Sequence, residues 1–201
     1  MKNETTPNRT LYAIMGLMLA ILLIGSGAFL WLSRSGGNNL VGIGGPFTLE
    51  NGDGQPVTNK DFLGKYMLVY FGYTFCPDVC PTTLAAITDA MDKLGPESKQ
   101  IQPVFISVDP ARDTPAVVKR YAAAFGPYIV GLTGTPAEVA QAAKEYRVYY
   151  KAHRPKPGET NYTVDHSSVI YLMDPKGEFV APIPAEETGA QIAARLKQLV
   201  R

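Results

Sequence analysis

KYMLVYFGYTFCPDVCPTT, residues 65–83, decides how the rest of the chain is read. Its first half, KYMLVYFGYT, is a continuous apolar run rich in β-branched and aromatic residues. Such a run has no polar face to give to water, so it predicts a central strand covered on both sides. Its second half holds Cys76 and Cys80, the chain's two cysteines, each followed by proline. Pro81 suits the first position of a helix, where a missing N–H costs nothing. TTLAAITDAMDKLG then places apolar residues at helical spacing until Gly95 stops it. Both cysteines therefore fall on a strand-to-helix turn.

The pattern extends in both directions from that turn. FTLENGDGQPVT, residues 47–58, predicts a hairpin with turn signals at Asn51-Gly52 and Asp53-Gly54. IQPVFISVD, residues 101–109, predicts a second buried strand. Asp113-Thr114-Pro115 offers a cap followed by proline for the helix AVVKRYAAAFG. TPAEVAQAAKEYRV, residues 135–148, repeats the device with Thr135 and Pro136. HSSVIYLMD and GEFVAPI predict an antiparallel pair joined at Pro175-Lys176-Gly177, and ETGAQIAARLKQLVR predicts a closing helix. The order is hairpin, then β-α-β-α-α-β-β-α. It predicts an α/β class fold, a thioredoxin-like mixed sheet flanked by helices, over residues 46–201.

LYAIMGLMLAILLIGSGAFLWL, residues 11–32, carries no charged residue. As a helix it would reach roughly 33 Å, enough for a hydrocarbon core about 30 Å thick. Ser26-Gly27-Ala28 resembles a signal-peptide cleavage site, but the apolar run continues through Leu32 and favours an uncleaved transmembrane anchor. With Lys2 and Arg9 ahead of it, residues 1–10 are expected in the cytoplasm and the domain outside. The N-terminus lacks the character of an organelle transit peptide, so the expected location is a bacterial inner membrane, single-pass, with the domain in the periplasm. SRSGGNNLVGIGG, residues 33–45, has the composition of a flexible tether.

Of 19 basic and 18 acidic side chains, only Lys2, Arg9 and Glu4 precede residue 33, which leaves 17 of each beyond it. No basic excess is available to collect phosphates, which argues against a nucleic-acid partner.

Three readings compete for Cys76 and Cys80. A structural disulfide suits an exported domain, but a link across three residues closes so small a loop that its entropic benefit is minor. A redox couple is stronger, because the helix N-terminus should favour the Cys80 thiolate. Thioredoxin-type enzymes, however, use a shorter spacing and place a proline before the facing strand, where this chain has Val164-Asp165-His166. A peroxidase reading of Val79-Cys80-Pro81-Thr82 suffers from Pro77, which stands where a peroxide-binding hydroxyl is needed. A metal site requires a third ligand. His153 lies in KAHRPKPGETNY, a loop where a solvated side chain is expected, whereas His166 precedes a strand that should face the cysteine loop. Two sulfurs and an imidazole suit Cu(I), or Cu(II) with an added oxygen, and zinc also accepts this set. Asp78 and Asp165 are minor candidates, as an outer carboxylate and as a partner orienting His166. Asp109, Arg112 and Asp113 read as a strand-end turn and helix cap, and Met67, Met91 and Met173 read as core.

FGYTFCPDVCP, SVDPARDTP and YTVDHSSVIYLMDP together closely resemble the Sco/SenC family, over roughly residues 46–200. The resemblance implies a membrane-anchored, thioredoxin-like metallochaperone that binds copper through Cys76, Cys80 and His166. It implies delivery of copper to the dinuclear copper centre of cytochrome c oxidase subunit II. The alternative it carries is thiol–disulfide reduction of that centre's cysteines by Cys76 and Cys80, with a further copper chaperone or thiol reductase as a second partner. Thr163 departs from the acid frequent at its place in the family, while the histidine is intact. The reading predicts that oxidising Cys76 and Cys80 to a disulfide abolishes Cu(I) binding. Stoichiometric Cu(I) retained by the oxidised protein, measured by metal analysis, would refute it.

Overall fold

The computed structural model describes residues 42–154, 156, 158 and 160–200, together with residues 13, 17 and 18. The expected cytoplasmic residues 1–10, most of the span at 11–32 and tether residues 33–41 lie outside the described residues. Among the described residues no helix is long and apolar enough to cross a membrane.

A seven-stranded sheet forms the centre, in the order β2 (Pro56–Thr58), β1 (Thr48–Asn51), β5 (Val130–Thr133), β4 (Ile101–Ser107), β3 (Tyr66–Gly72), β8 (Val169–Met173), β9 (Phe179–Pro184). The predicted hairpin is β1 (Thr48–Asn51) and β2 (Pro56–Thr58). Asn51 Oδ1 closes its turn by accepting the backbone N–H groups of Asp53 and Gln55, both at 3.0 Å. The apolar run is β3 (Tyr66–Gly72), buried at every position. It pairs in parallel with β4 (Ile101–Ser107), from Tyr66 opposite Ile101 to Gly72 opposite Ser107. On its other side it pairs antiparallel with β8 (Val169–Met173), and β8 pairs with β9 (Phe179–Pro184).

The helix after the cysteines, α1 (Val79–Leu94), begins two residues before Pro81, so proline takes the third position. It is tolerated there because first-turn N–H groups have no intrahelical acceptor. Its core face, Leu84, Ile87, Ala90, Met91 and Leu94, follows the three- and four-residue rhythm of an amphipathic helix. The later helices are α2 (Pro115–Ala123), α3 (Pro136–Glu145) and α4 (Gly189–Leu199). Thr135 with Glu138 and Thr188 with Gln191 form capping boxes that start α3 and α4. α1 packs on α4 at close range, and a Cβ at Gly189 would stand 2.8 Å from the Ala86 carbonyl oxygen. Met67, Met91 and Met173 are core residues, 3% exposed or less.

Two elements depart from the sequence expectation. β5 (Val130–Thr133) joins the sheet between β1 and β4, where no strand was predicted. Gly131 hides it: glycine has poor strand propensity, yet any Cβ there would meet the Val118 carbonyl oxygen of α2 at 3.0 Å. The second is a separate two-stranded sheet, β6 (Tyr150–His153) with β7 (Thr163–His166), where a loop was expected. His166 thus ends a strand of its own and lies outside the main sheet.

Leu68, fully buried at the middle of β3, tests the core. Leu68→Ala should lower stability by about 3 kcal/mol in chemical denaturation, since the cavity between paired strands has little room to collapse. A loss below about 1 kcal/mol would show that Leu68 does not lie in a packed core.

Candidate metal centre

β3 and β8 run antiparallel, so the C-terminal end of one lies beside the N-terminal end of the other, with Tyr70 opposite Ile170. The residues that follow β3 and those that precede β8 must meet at the same sheet edge. Cys76 and Cys80 belong to the first group and His166 to the second. Their ligating atoms all lie within 4.8 Å of one another.

Both cysteines are free thiols. Cys76 is half-buried and its Sγ accepts the Cys80 backbone N–H at 3.4 Å, so a sulfur takes the place of a capping oxygen at the start of α1. Cys80 is fully buried, with Sγ 3.3 Å from His166 Nε2. Gly72 makes room for it, because a Cβ there would stand 2.8 Å from that sulfur. The Tyr70 hydroxyl donates to the same sulfur at 3.8 Å.

Burial pushes the Cys80 thiol up to about 12, against a backbone hydrogen bond from Tyr73. The expectation that the helix N-terminus would make Cys80 a ready thiolate is therefore overturned. Desolvation of a fully buried anion outweighs a partial charge at a helix end. His166 is held below the ordinary imidazole range by burial, opposed by the Ser167 carbonyl and by Asp165. The Ser167 oxygen lies 3.2 Å from His166 Nδ1 and can only accept, which fixes the proton on Nδ1. The Nε2 lone pair faces the sulfurs. Tyr70 and Tyr73 present their rings edge-on to the imidazole, with centroids 6.1 and 5.9 Å away.

The remaining candidates sort clearly. His153 is not part of the cluster: its Nε2 binds Asp165 Oδ2 at 2.6 Å on the exposed hairpin. Asp165 consequently does not orient His166, and the Ser167 carbonyl performs that task. Asp78 is exposed, and its backbone carbonyl accepts from Thr82. Phe75 and Val79 flank the cysteines as exposed apolar side chains.

Asp113 corrects the sequence reading. It does not cap α2, whose N-cap is Thr114, but turns inward and is fully buried. Its carboxylate accepts the Thr74 backbone N–H at 2.9 Å, the Thr74 hydroxyl at 2.5 Å and the Ser107 hydroxyl at 2.5 Å. Burial raises its pKa against those hydrogen bonds. Asp113 thereby fixes the backbone two residues before Cys76. Asp109 and Arg112 also lie inside, paired at 2.5 Å. The available signal was their position: three charged residues follow a buried strand at its C-terminal end, where α/β sheets place their sites.

The family model described as SCO1/SenC matches residues 37–201. The chain belongs to that family. Among its relatives, Protein SenC of Rhodobacter capsulatus is 40% identical over 182 residues, covering 90% of this chain and 81% of the relative. Mitochondrial Protein SCO2 of Saccharomyces cerevisiae is 39% identical over 195 residues, covering 89% of this chain. This chain spans 65% of that relative's length and 53% of the mitochondrial Protein SCO1 homolog of Homo sapiens. The structure of Bradyrhizobium japonicum ScoI with copper bound is similar at TM-score 0.72 and 46% identity, covering 79% of this chain and 99% of that one. BsSco, described in connection with a disulfide switch in a member of the Sco family of cytochrome c oxidase assembly proteins, is similar at TM-score 0.57 and 28% identity, covering 77% of this chain and 91% of that one.

The unequal sulfurs of this SCO1/SenC chain give a direct test. Iodoacetamide followed by peptide mass analysis should label Cys76 well before Cys80 at neutral pH. Cys80 should gain reactivity only as pH climbs toward about 12. A free thiol ionises near 9, so the raised value also means that stability is intact below about 9 and falls between there and about 12. Equal labelling at pH 7 would contradict the buried assignment.

Proposed function

We propose that this chain is a copper-binding metallochaperone of cytochrome c oxidase assembly, which hands copper to the dinuclear centre of subunit II. One observation carries the reading: Cys76 Sγ, Cys80 Sγ and a His166 imidazole nitrogen converge within 4.8 Å. Two soft sulfurs and one imidazole match Cu(I) in a three-coordinate site. The copper-bound structure of the Bradyrhizobium japonicum relative supports the same metal, and the description of BsSco supports the assembly role.

Loading exchanges protons for metal. Both thiols must lose their protons, and the Cys80 proton is tightly held, so Cu(I) uptake becomes more favourable as pH rises. The Tyr70 hydroxyl then faces a sulfur bearing negative charge and hydrogen-bonds it more strongly than the thiol. His166 needs no proton loss, because burial and the Ser167 carbonyl already leave Nε2 bare. Release follows from low coordination number and partial exposure. An incoming thiolate binds the metal on the Cys76 side, where the site is open, and one ligand of this chain leaves as it does so. No electron changes hands.

A thiol–disulfide reductase acting on the same centre is the second reading. The free, adjacent cysteines and the BsSco disulfide switch favour it. There the Cys76 thiolate attacks the partner's disulfide, and Cys80 resolves the mixed disulfide. The partner gains two electrons and two protons and leaves as a dithiol, while this chain is left with a Cys76–Cys80 disulfide. Further partners would be a second copper chaperone or a reductase that restores the pair. The uncharged run at residues 11–32 supports a single-pass anchor in a bacterial inner membrane, with the domain at 46–201 in the periplasm. A tether ahead of Gly42 would raise the domain's concentration near a membrane-held partner. Residues 42–45 are instead held to the domain, by the Gly44 N–H on the Glu145 carbonyl and Arg147 Nε on the Gly42 carbonyl.

His166→Ala separates the two roles. It should weaken Cu(I) binding by more than the roughly 10–100-fold that losing an outer partner of a ligand costs. Disulfide reduction should fall by a smaller factor, because there the imidazole 3.3 Å from Cys80 Sγ serves only to take a proton. Anaerobic chelator competition, with X-ray absorption counting sulfur and nitrogen ligands, checks the first. Unchanged Cu(I) affinity would end the chaperone reading.

A further inference from the structure

Among the described residues β6 and β7 pair only with each other, and a lone two-stranded hairpin is marginal in water. His166, at the end of β7, is nevertheless held beside Cys80. Something outside the hairpin must fix it there.

Arg112, in the turn between β4 and α2, touches both halves of the site. Its Nε binds Asp109 Oδ2 at 2.5 Å. Its Nη1 donates to the carbonyl oxygens of Tyr162 at 2.9 Å and Thr160 at 3.3 Å, immediately before β7 begins. The guanidinium lies 3.6 Å from the Tyr162 ring centroid and 4.6 Å from that of Phe75, the residue before Cys76. The Tyr162 hydroxyl closes the ring of contacts by donating to Asp109 Oδ1 at 2.6 Å. Nη2 finds no acceptor among the described residues, so the aromatic faces are what remains to hold it. The pair is well shielded, with side chains 12% and 5% exposed. Planar fork, fixed charge and stacking are all used at once, and only arginine supplies the three together.

We infer that Arg112 is a positioning residue that latches the histidine-bearing hairpin to the cysteine loop, through Asp109, Tyr162 and Phe75. It touches no ligand atom. Its contribution to copper binding is to keep His166 within reach, and that part rests on the function proposed above. With the latch loosened, the hairpin moves as a unit and leaves a two-sulfur site.

Arg112→Lys keeps a cation beside Asp109 but loses the fork to both carbonyls; Arg112→Met retains only the stem. Hydrogen exchange on the metal-free protein should show β6 and β7 amides exchanging about tenfold faster in each variant, with β3 and β4 unchanged. Arg112→Lys should lower Cu(I) affinity about 10–100-fold and reduce the nitrogen count in X-ray absorption. Added to His166→Ala, it should lower affinity no further. Unchanged hairpin exchange in both variants overturns the latch, whatever the metal does. An additive loss on the His166→Ala background overturns it too, because Arg112 would then act by a route other than the histidine. If His166→Ala leaves copper binding intact while the hairpin still loosens, the copper assignment falls and the latch stands.

Discussion

Antiparallel pairing of β3 with β8 is the constraint on which the rest of the structure depends. It forces the chain leaving one strand and the chain entering the other to the same edge of the sheet, with Tyr70 opposite Ile170. A parallel pairing would send His166 to the opposite end, about the length of a strand away. Everything at the site is then a matter of local fitting. Gly72 opens space for the Cys80 sulfur, and the Cys76 sulfur receives the N–H of Cys80 at the mouth of α1.

The two sulfurs are chemically unequal because one is fully buried and the other only half-buried. Cys80 lies under Tyr70 and against His166, where an anion is costly and the thiol keeps its proton. Cys76 lies at the surface between exposed Phe75 and Val79. This asymmetry suits a site that grips cargo from inside and exchanges it from outside. It suits a dithiol couple equally, with an accessible attacking sulfur and a sheltered resolving one. His166 separates the two uses by role, since ligation bonds its Nε2 to the metal, whereas dithiol exchange asks of it no more than a base for the Cys80 proton.

Behind the ligands stands a polar support. Asp113 holds Thr74 and Ser107 in the interior, and Asp109 with Arg112 reaches from the β4 end to the hairpin. Buried charges are costly unless fully partnered. Here each carboxylate meets two or more donors, and the segments so joined are those that carry Cys76 and His166. This layer holds the hairpin together with Tyr162 and Val164, the two buried side chains by which that segment reaches the core.

The sequence by itself determined the elements whose burial is written in their composition. β3 is an unbroken apolar run, β4 is apolar but for Gln102 and Ser107, α1 has a helical rhythm, and the Thr135–Pro136 start of α3 announces itself. It also singled out the three candidate ligands, through two lone cysteines at a strand-to-helix turn and a histidine ahead of a facing strand. β5 was not legible, because Gly131 answers to the approach of α2 and carries no local strand signal. Nor was the β6–β7 hairpin, because β6 is exposed over most of its length and β7 offers a single buried apolar residue, Val164. Only the tertiary structure decided that Asp113 faces inward, that Asp165 serves His153, and that Cys80 keeps its proton. Those outcomes depend on desolvation and on partners far away in the chain, and local sequence encodes neither.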